Sequence, residues 1–327
     1  MVRTLLRKLC GDIQKHEQEV QNYERLALRK SANDQYLALR EFVGAYSDHL
    51  QRQERENILD WMSDIDYRSH HNGVLDKLMP GTGSWLFSKE QYVQWNDNPR
   101  SALLWLRGDA GTGKSTIMAS LIDQLESQPR LESSEALAYF YCSRTSSDSR
   151  RQDPTEILRS ICQQLSCPMR GLSLKPAALR IHVRETSLGS QRASFGLKEC
   201  QQLFIDLVND YSQVTVLIDA LDEIDSNSRY HLLSFLEKVG RSVKTTLKMM
   251  ISSRNESDIY DHFGSGKSFY IDSADNARDI AQYVKHKLST RLLFGKANKD
   301  LISRVEDLLN SKAQGMLVAT IPIWNET

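Results

Sequence analysis

A chain of 327 residues is long enough for roughly two domains and a sizeable core. Its 42 Lys+Arg balance its 42 Asp+Glu, so no global field steers it to nucleic acid or an anionic membrane, and neither is expected as a partner. The opening MVRTLLRKLCGD has no apolar h-region, no stretch approaches the roughly 18 apolar residues of a membrane span, and the five cysteines are scattered without a CxxC pair, so a cytoplasmic protein with reduced thiols is expected.

The first 66 residues contain no proline, and only Gly11 and Gly44 interrupt them. Leu6, Leu9, Ile13, His16, Val20, Tyr23 and Ala27 follow a 3–4 spacing with charges between them, which predicts a helix. Three weak heptads containing a histidine favour one helix of a bundle over a coiled coil. A second helical piece is expected over 36–50, leading into ILDWM at 58–62. Pro80, Gly81 and Gly83 then mark a turn, and Trp85, Leu86, Phe87, Tyr92 and Trp95 supply apolar anchors, expected to pack against the sheet that follows.

The most informative run is LLWLRGDAGTGKST at 103–116. An apolar strand enters Gly108, Asp109, Ala110, Gly111, Thr112, Gly113, Lys114, Ser115 and Thr116, and a helical stretch over 117–125 follows. This is the GxxxxGK[ST] phosphate-binding loop in the strand–helix context that it requires. Glycines let successive backbone N–H groups turn towards phosphate oxygens. Lys114 reaches the β- and γ-phosphates, the Ser115 hydroxyl ligates Mg²⁺, and the helix adds its positive end. A nucleoside triphosphate with Mg²⁺ is the expected ligand.

Downstream, ALAYFYC at 136–142 reads as a buried strand, and Pro154 opens a helix through Ile157, Leu158, Ile161 and Leu165. Residues 167–191 read as a solvated loop with one short helix, and a helix around 203–208 precedes VTVLIDALDE at 214–223. Five β-formers ending in Asp219 describe a buried strand with a carboxylate at the edge where open α/β sheets bind ligands. Asp219 can hold the Mg²⁺ that Ser115 also touches. Asp222 and Glu223 are spaced to orient or deprotonate an attacking water. A third strand, LKMMISSR at 247–254, ends in Arg254, which either senses the γ-phosphate or caps the next helix. The later FGSGKS at 263–268 is a decoy, because Asp261 stands where the first glycine is needed.

Together, the phosphate loop, VLIDALDE and MISSR resemble the NACHT-type STAND NTPases, whose mark is the acidic pair beyond the Mg²⁺ aspartate. ILDWMSDIDY, GTGSWLFSKEQYVQW, ILRSICQQL and DNARDIAQYVKHKL narrow the resemblance to fungal vegetative-incompatibility proteins, whose module is also called nephrocystin-like. It covers roughly 58–316. The resemblance implies an α/β fold: a three-layer P-loop NTPase with a parallel sheet over 67–272, preceded by a helical region (1–66) and followed by a shortened helical extension (273–327). It implies ATP, with GTP as the alternative, bound with Mg²⁺ and slowly hydrolysed. It also implies self-association through the NTPase domain and an effector protein as partner. Asp222 and Glu223 would be the catalytic acids, Arg254 the sensor, and the GTG-Trp lead-in would lie beside the base. After KAQGM (312–316) the family pattern stops at LVATIPIWNET. An unpacked tail over 317–327, and nucleotide exchange without a C-terminal lock, are expected.

Overall fold

Long uninterrupted helix dominates the N-terminal part of the computed structural model, which describes residues 2–128, 134–167, 173–187, 195–264, 268–272 and 274–292. The chain divides into two units, Met1–Asn57 and Ile58–Thr327. The first is a single stretch of helix α1 (Val2–Met62). The two helical pieces expected from spacing are therefore one continuous helix. Gly44 is absorbed at the modest cost of glycine within a helix, about 1 kcal/mol. Beyond Ala27 the apolar residues fall at Leu28, Tyr36, Leu37, Leu39 and Phe42, all exposed. Leu28, Tyr36, Leu39 and Phe42 share one side of the helix at 100° per residue, with Leu37 opposite.

The second unit is built on a parallel five-stranded sheet with the order β2-β3-β4-β1-β5. Its strands are β1 (Ala102–Arg107), β2 (Glu135–Tyr141), β3 (Gln213–Asp219), β4 (Thr246–Ser253) and β5 (Ser268–Tyr270). Alternate side chains of each strand feed two cores, one on each face. Trp105, Phe140, Val216, Ile218 and Met249 lie on one side, with Leu104, Leu106, Tyr139, Leu217 and Met250 on the other. Burial on both faces explains why the strands read as near-continuous apolar runs.

The first face is covered by α5 (Pro154–Ser166), α6 (Pro176–Ser187), α7 (Leu197–Val208), α8 (Ser226–Ser242) and α9 (Ser257–Phe263). The opposite face carries α2 (Tyr67–Leu75), a 3₁₀ turn (Ser84–Ser88), α3 (Glu90–Asn96) and α4 (Lys114–Ser127). Asp153 caps α5 through the Thr155 N–H, with Pro154 in the first turn, a strong start signal. The helix expected within 167–191 is α6, which buries Ala177, Ala178 and Ile181. After β5 comes α10 (Ala277–Leu292). This three-layer arrangement is the P-loop α/β fold expected from the sequence. The middle of FGSGKS (265–267) and the tail at 317–327 lie outside the described residues.

Candidate nucleotide-binding site

The loop between β1 and α4 emerges at the carboxyl edge of the sheet, where β1, β3 and β4 end side by side. Gly111 and Gly113 have φ of 80° and 87°, the left-handed region that glycine enters without steric cost. Gly113 is also the N-cap of α4 and offers no side chain to the first helical N–H groups, which leaves them for an anion. Lys114 Nζ donates to the carbonyls of Gly108 and Asp109, each at 2.7 Å. Its ammonium thus closes over its own loop. Burial lowers the Lys114 pKa, opposed chiefly by the nearby Asp222 and Asp219 carboxylates. An incoming phosphate offers the same ammonium a stronger, charged acceptor. Asp109 accepts from the Tyr270 hydroxyl at 3.1 Å, so β5 braces the loop from its far side.

Asp219 ends β3, 3% exposed. The hydroxyl of Ser115 is hydrogen-bonded to it, and Ser252 Oγ donates to Asp219 Oδ1 at 2.5 Å. Burial pushes the Asp219 pKa up, against the pull of both hydroxyls and Lys114. A buried carboxylate held by two neutral hydroxyls lacks a full counter-charge. One carboxylate and one hydroxyl form a hard-oxygen set that suits Mg²⁺, whose other ligands are ordinarily water and phosphate. Ser252 also accepts from the Ala220 N–H at 2.9 Å. Ala220 is the one non-glycine residue with positive φ among the described residues, at 56°. That left-handed step ends the strand and starts the 3₁₀ turn Leu221–Glu223, which carries the acidic pair.

Asp222 is buried, and its Oδ1 accepts from the Arg254 N–H at 3.0 Å. The Arg254 guanidinium lies 3.1 Å from Asp222 Oδ2 and 3.4 Å from Glu223 Oε1. Glu223 Oε2 accepts from the Arg144 N–H at 3.1 Å, just beyond β2. The structure thus brings Lys114, Ser115, Asp219, Asp222, Glu223 and Arg254 to one edge, with both oxygens of Glu223 engaged.

Further contacts join the lead-in segment to the sheet and to α10, and α10 to the loop. Trp95 packs under the sheet as the sequence suggests, donating to the Met249 carbonyl at 2.9 Å. Trp85 packs against Phe269 of β5 and also reaches α10: its indole N–H donates to Asp279 Oδ2 at 3.1 Å, and the Gly83 N–H donates to the same oxygen at 2.8 Å. Asn276, 1% exposed, donates from Nδ2 to the Thr112 carbonyl at 3.1 Å. Ser252, Arg144, Tyr270, Asn276 and Asp279 were not singled out by sequence reasoning. Ser252 carried a signal as a small polar residue ending an apolar strand, and Asn276 and Asp279 lie in the DNARDIAQYVKHKL segment of the family resemblance.

A family model described as nephrocystin 3, N-terminal, matches residues 81–254, from the lead-in turn through Arg254. The vegetative incompatibility protein HET-E-1 of Podospora anserina is 26% identical over 254 residues, covering 73% of this chain. The chain spans 17% of that relative's length. Among solved structures, Cdc6p from Pyrobaculum aerophilum aligns with a TM-score of 0.41 and 14% identity over 74% of this chain and 58% of that one. Domain III of the Thermotoga maritima replication initiation protein DnaA gives 0.36 and 12% over 76% and 93%.

Proposed function

The chain belongs to the nephrocystin 3 N-terminal family, and we propose that it is a nucleotide-operated switch that binds ATP, ahead of GTP, as the magnesium complex and hydrolyses it slowly. One observation carries this reading. The lysine and hydroxyl that follow β1 and the Mg²⁺ carboxylate and acidic pair at the end of β3 meet beside an uncapped helix start.

In this reading the N–H groups of 111–116 and the Lys114 ammonium bind the β- and γ-phosphates. Ser115 and Asp219 would hold Mg²⁺, which when bound neutralises charge on the phosphate oxygens. Glu223 accepts a proton from the attacking water, and Asp222 keeps Arg254 at the γ-phosphate side. For that, Arg254 and the Arg144 N–H must release Glu223. The γ-phosphate supplies the reason, since it competes for the Arg254 guanidinium as a stronger bidentate acceptor. Changes at the acidic pair then reach partner surfaces. We propose self-association through the NTPase unit, with an effector protein downstream.

A second reading is a nucleotide-binding module without turnover, acting through interaction alone. The engagement of both Glu223 oxygens favours it. The two separate in one experiment: single-turnover hydrolysis of γ-labelled ATP by the purified chain, beside calorimetric binding to wild type and Lys114→Ala. Phosphate release by wild type supports the switch, and binding without release supports the module. Unchanged nucleotide affinity in a folded Lys114→Ala protein refutes both.

A further inference from the structure

Arg229 has its side chain 1% exposed, at the start of α8. Burying a guanidinium among aliphatic residues is costly unless every donor is matched. Here all five are. Nε and Nη2 donate to Asp258 Oδ2 and Oδ1, each at 2.6 Å, in a two-pronged pair, and Nη2 also donates to Glu256 Oε2. Nη1 donates to the carbonyls of Asp222 at 3.2 Å and Ile224 at 3.0 Å.

The acceptors are not scattered over the fold. Two are backbone carbonyls of the turn that carries the acidic pair. The other two are carboxylates just beyond Arg254, Glu256 at the N-cap of α9 and Asp258 in its first turn. Arg254 grips the Asp222 side chain through its own N–H and guanidinium, while Arg229 grips the Asp222 backbone and the chain beyond Arg254. The two arginines close a ring around residues 222–224 and 254–258.

Packing alone does not require this. Leu232, Leu233 and Leu236 of the same helix are buried in the apolar core, and a Leu or Met at 229 would bury there without desolvating a charge. A lysine could not replace the ring either, since one ammonium has three donors and no planar fork.

We propose that Arg229 is a positioning residue that fixes the spacing between the Asp222–Glu223 pair and Arg254, and thereby the geometry in which water and γ-phosphate meet. This rests on reading the acidic pair as the water-orienting acids. Arg229 touches neither the phosphate loop nor Lys114, so its effect should fall on the chemical step and spare binding.

The test compares the full chain with Arg229→Lys and Arg229→Met in three measurements: ATP and ADP affinity by calorimetry, single-turnover hydrolysis, and backbone hydrogen exchange. With Arg229→Lys we expect affinities within threefold of wild type. Hydrolysis should be slowed by about 10²-fold, the scale of a displacement near 1 Å at reacting groups. Exchange should accelerate together at 221–224 and 254–258 and stay unchanged at 108–116. Arg229→Met, which restores apolar packing without donors, should reproduce the exchange pattern.

Unchanged hydrolysis and exchange in both variants would overturn the proposal. So would a parallel fall in affinity and hydrolysis with exchange rising across the whole sheet, which is the mark of general destabilisation. If wild type itself releases no phosphate, the hydrolytic reading fails separately. The exchange arm still decides on Arg229: joint loosening of the two loops supports the positioning role, and loosening of one or neither overturns it.

Discussion

Replacing Ser252 by alanine removes one oxygen from the floor of the site and almost no volume, so its consequences are electrostatic. Two bonds are lost: the one the hydroxyl donates to Asp219 and the one it accepts from the Ala220 N–H. A hydrogen bond to a charged group contributes about 1.5–3 kcal/mol, and an unmatched buried donor costs about 1–3 kcal/mol. Ser115 still donates to the carboxylate, and Ala220 is only partly buried, which holds both terms near their lower ends. The expected loss is about 3 kcal/mol, or a fall in Tm of roughly 6–12 °C for a unit of this size. Urea titration should show a lower midpoint with an unchanged slope, because no surface is newly exposed. The loss should grow as pH rises above the ordinary carboxylate range, since ionised Asp219 uses the donor most. Saturating Mg-nucleotide should recover part of it by giving Asp219 another partner. A Ser252→Ala protein within 0.5 kcal/mol of wild type at neutral pH would show that Asp219 does not depend on this hydroxyl.

Three further outcomes are expected. Glu223→Gln should retain ATP binding while hydrolysis falls by about 10²–10⁴-fold, the range for loss of a general base; if Asp222→Asn shows that pattern and Glu223→Gln does not, the roles exchange. Burial raises the Asp219 pKa, so this group's contribution to apo stability is complete below the unfolded value and is lost as pH rises through the folded one. Asp219→Asn should remove that decline from a Tm-against-pH series and abolish stabilisation by Mg-nucleotide; a decline that persists in the variant would assign it elsewhere. Ala220→Gly should relieve the left-handed strain of about 1–2 kcal/mol, less the entropic cost of glycine, about 0.5–1 kcal/mol. A net gain of about 0.5 kcal/mol with slower hydrolysis is expected, and a lower urea midpoint would refute the strain.

The parts of the site legible in the sequence are those whose chemistry is local. Strands β1 to β4 are near-continuous apolar runs, broken by Thr215 and Lys248, and the phosphate loop is a contiguous pattern between a strand and a helix. Strand β5 escaped because Ser268–Tyr270 is three residues long, with Tyr270 exposed, too short for any periodicity. Asn276 meets Thr112 across 164 residues, and Asp279 meets Gly83 across 196. No spacing rule reaches that far, and an Asn or Asp near a helix start reads locally as a cap. Arg229 was hidden for the opposite reason, since a charged residue in an amphipathic helix is ordinarily on its solvent side. The N-terminal helix shows the limit of periodicity itself. The apolar positions from Leu6 to Ala27 and from Leu28 to Leu50 form two stripes offset around the axis, and the separate pieces they suggest are one helix.

The contacts of Asn276 and Asp279 give α10 a mechanical character. Its base is tied to the peptide of Thr112 on one side and to Gly83 and Trp85 on the other, while its 16 residues extend for about 24 Å at 1.5 Å per residue. Ile280 and Val284 are buried farther along the same helix, and Gln282 donates to the Pro80 carbonyl at 3.3 Å, so α10 is seated over its first two turns and moves as one rod. A tilt of 10° imposed there carries its far end through about 4 Å, more than the width of a hydrogen bond. Adjustments of the loop around a third phosphate would thus be passed along α10, together with the buried Ile280 and Val284 that seat it.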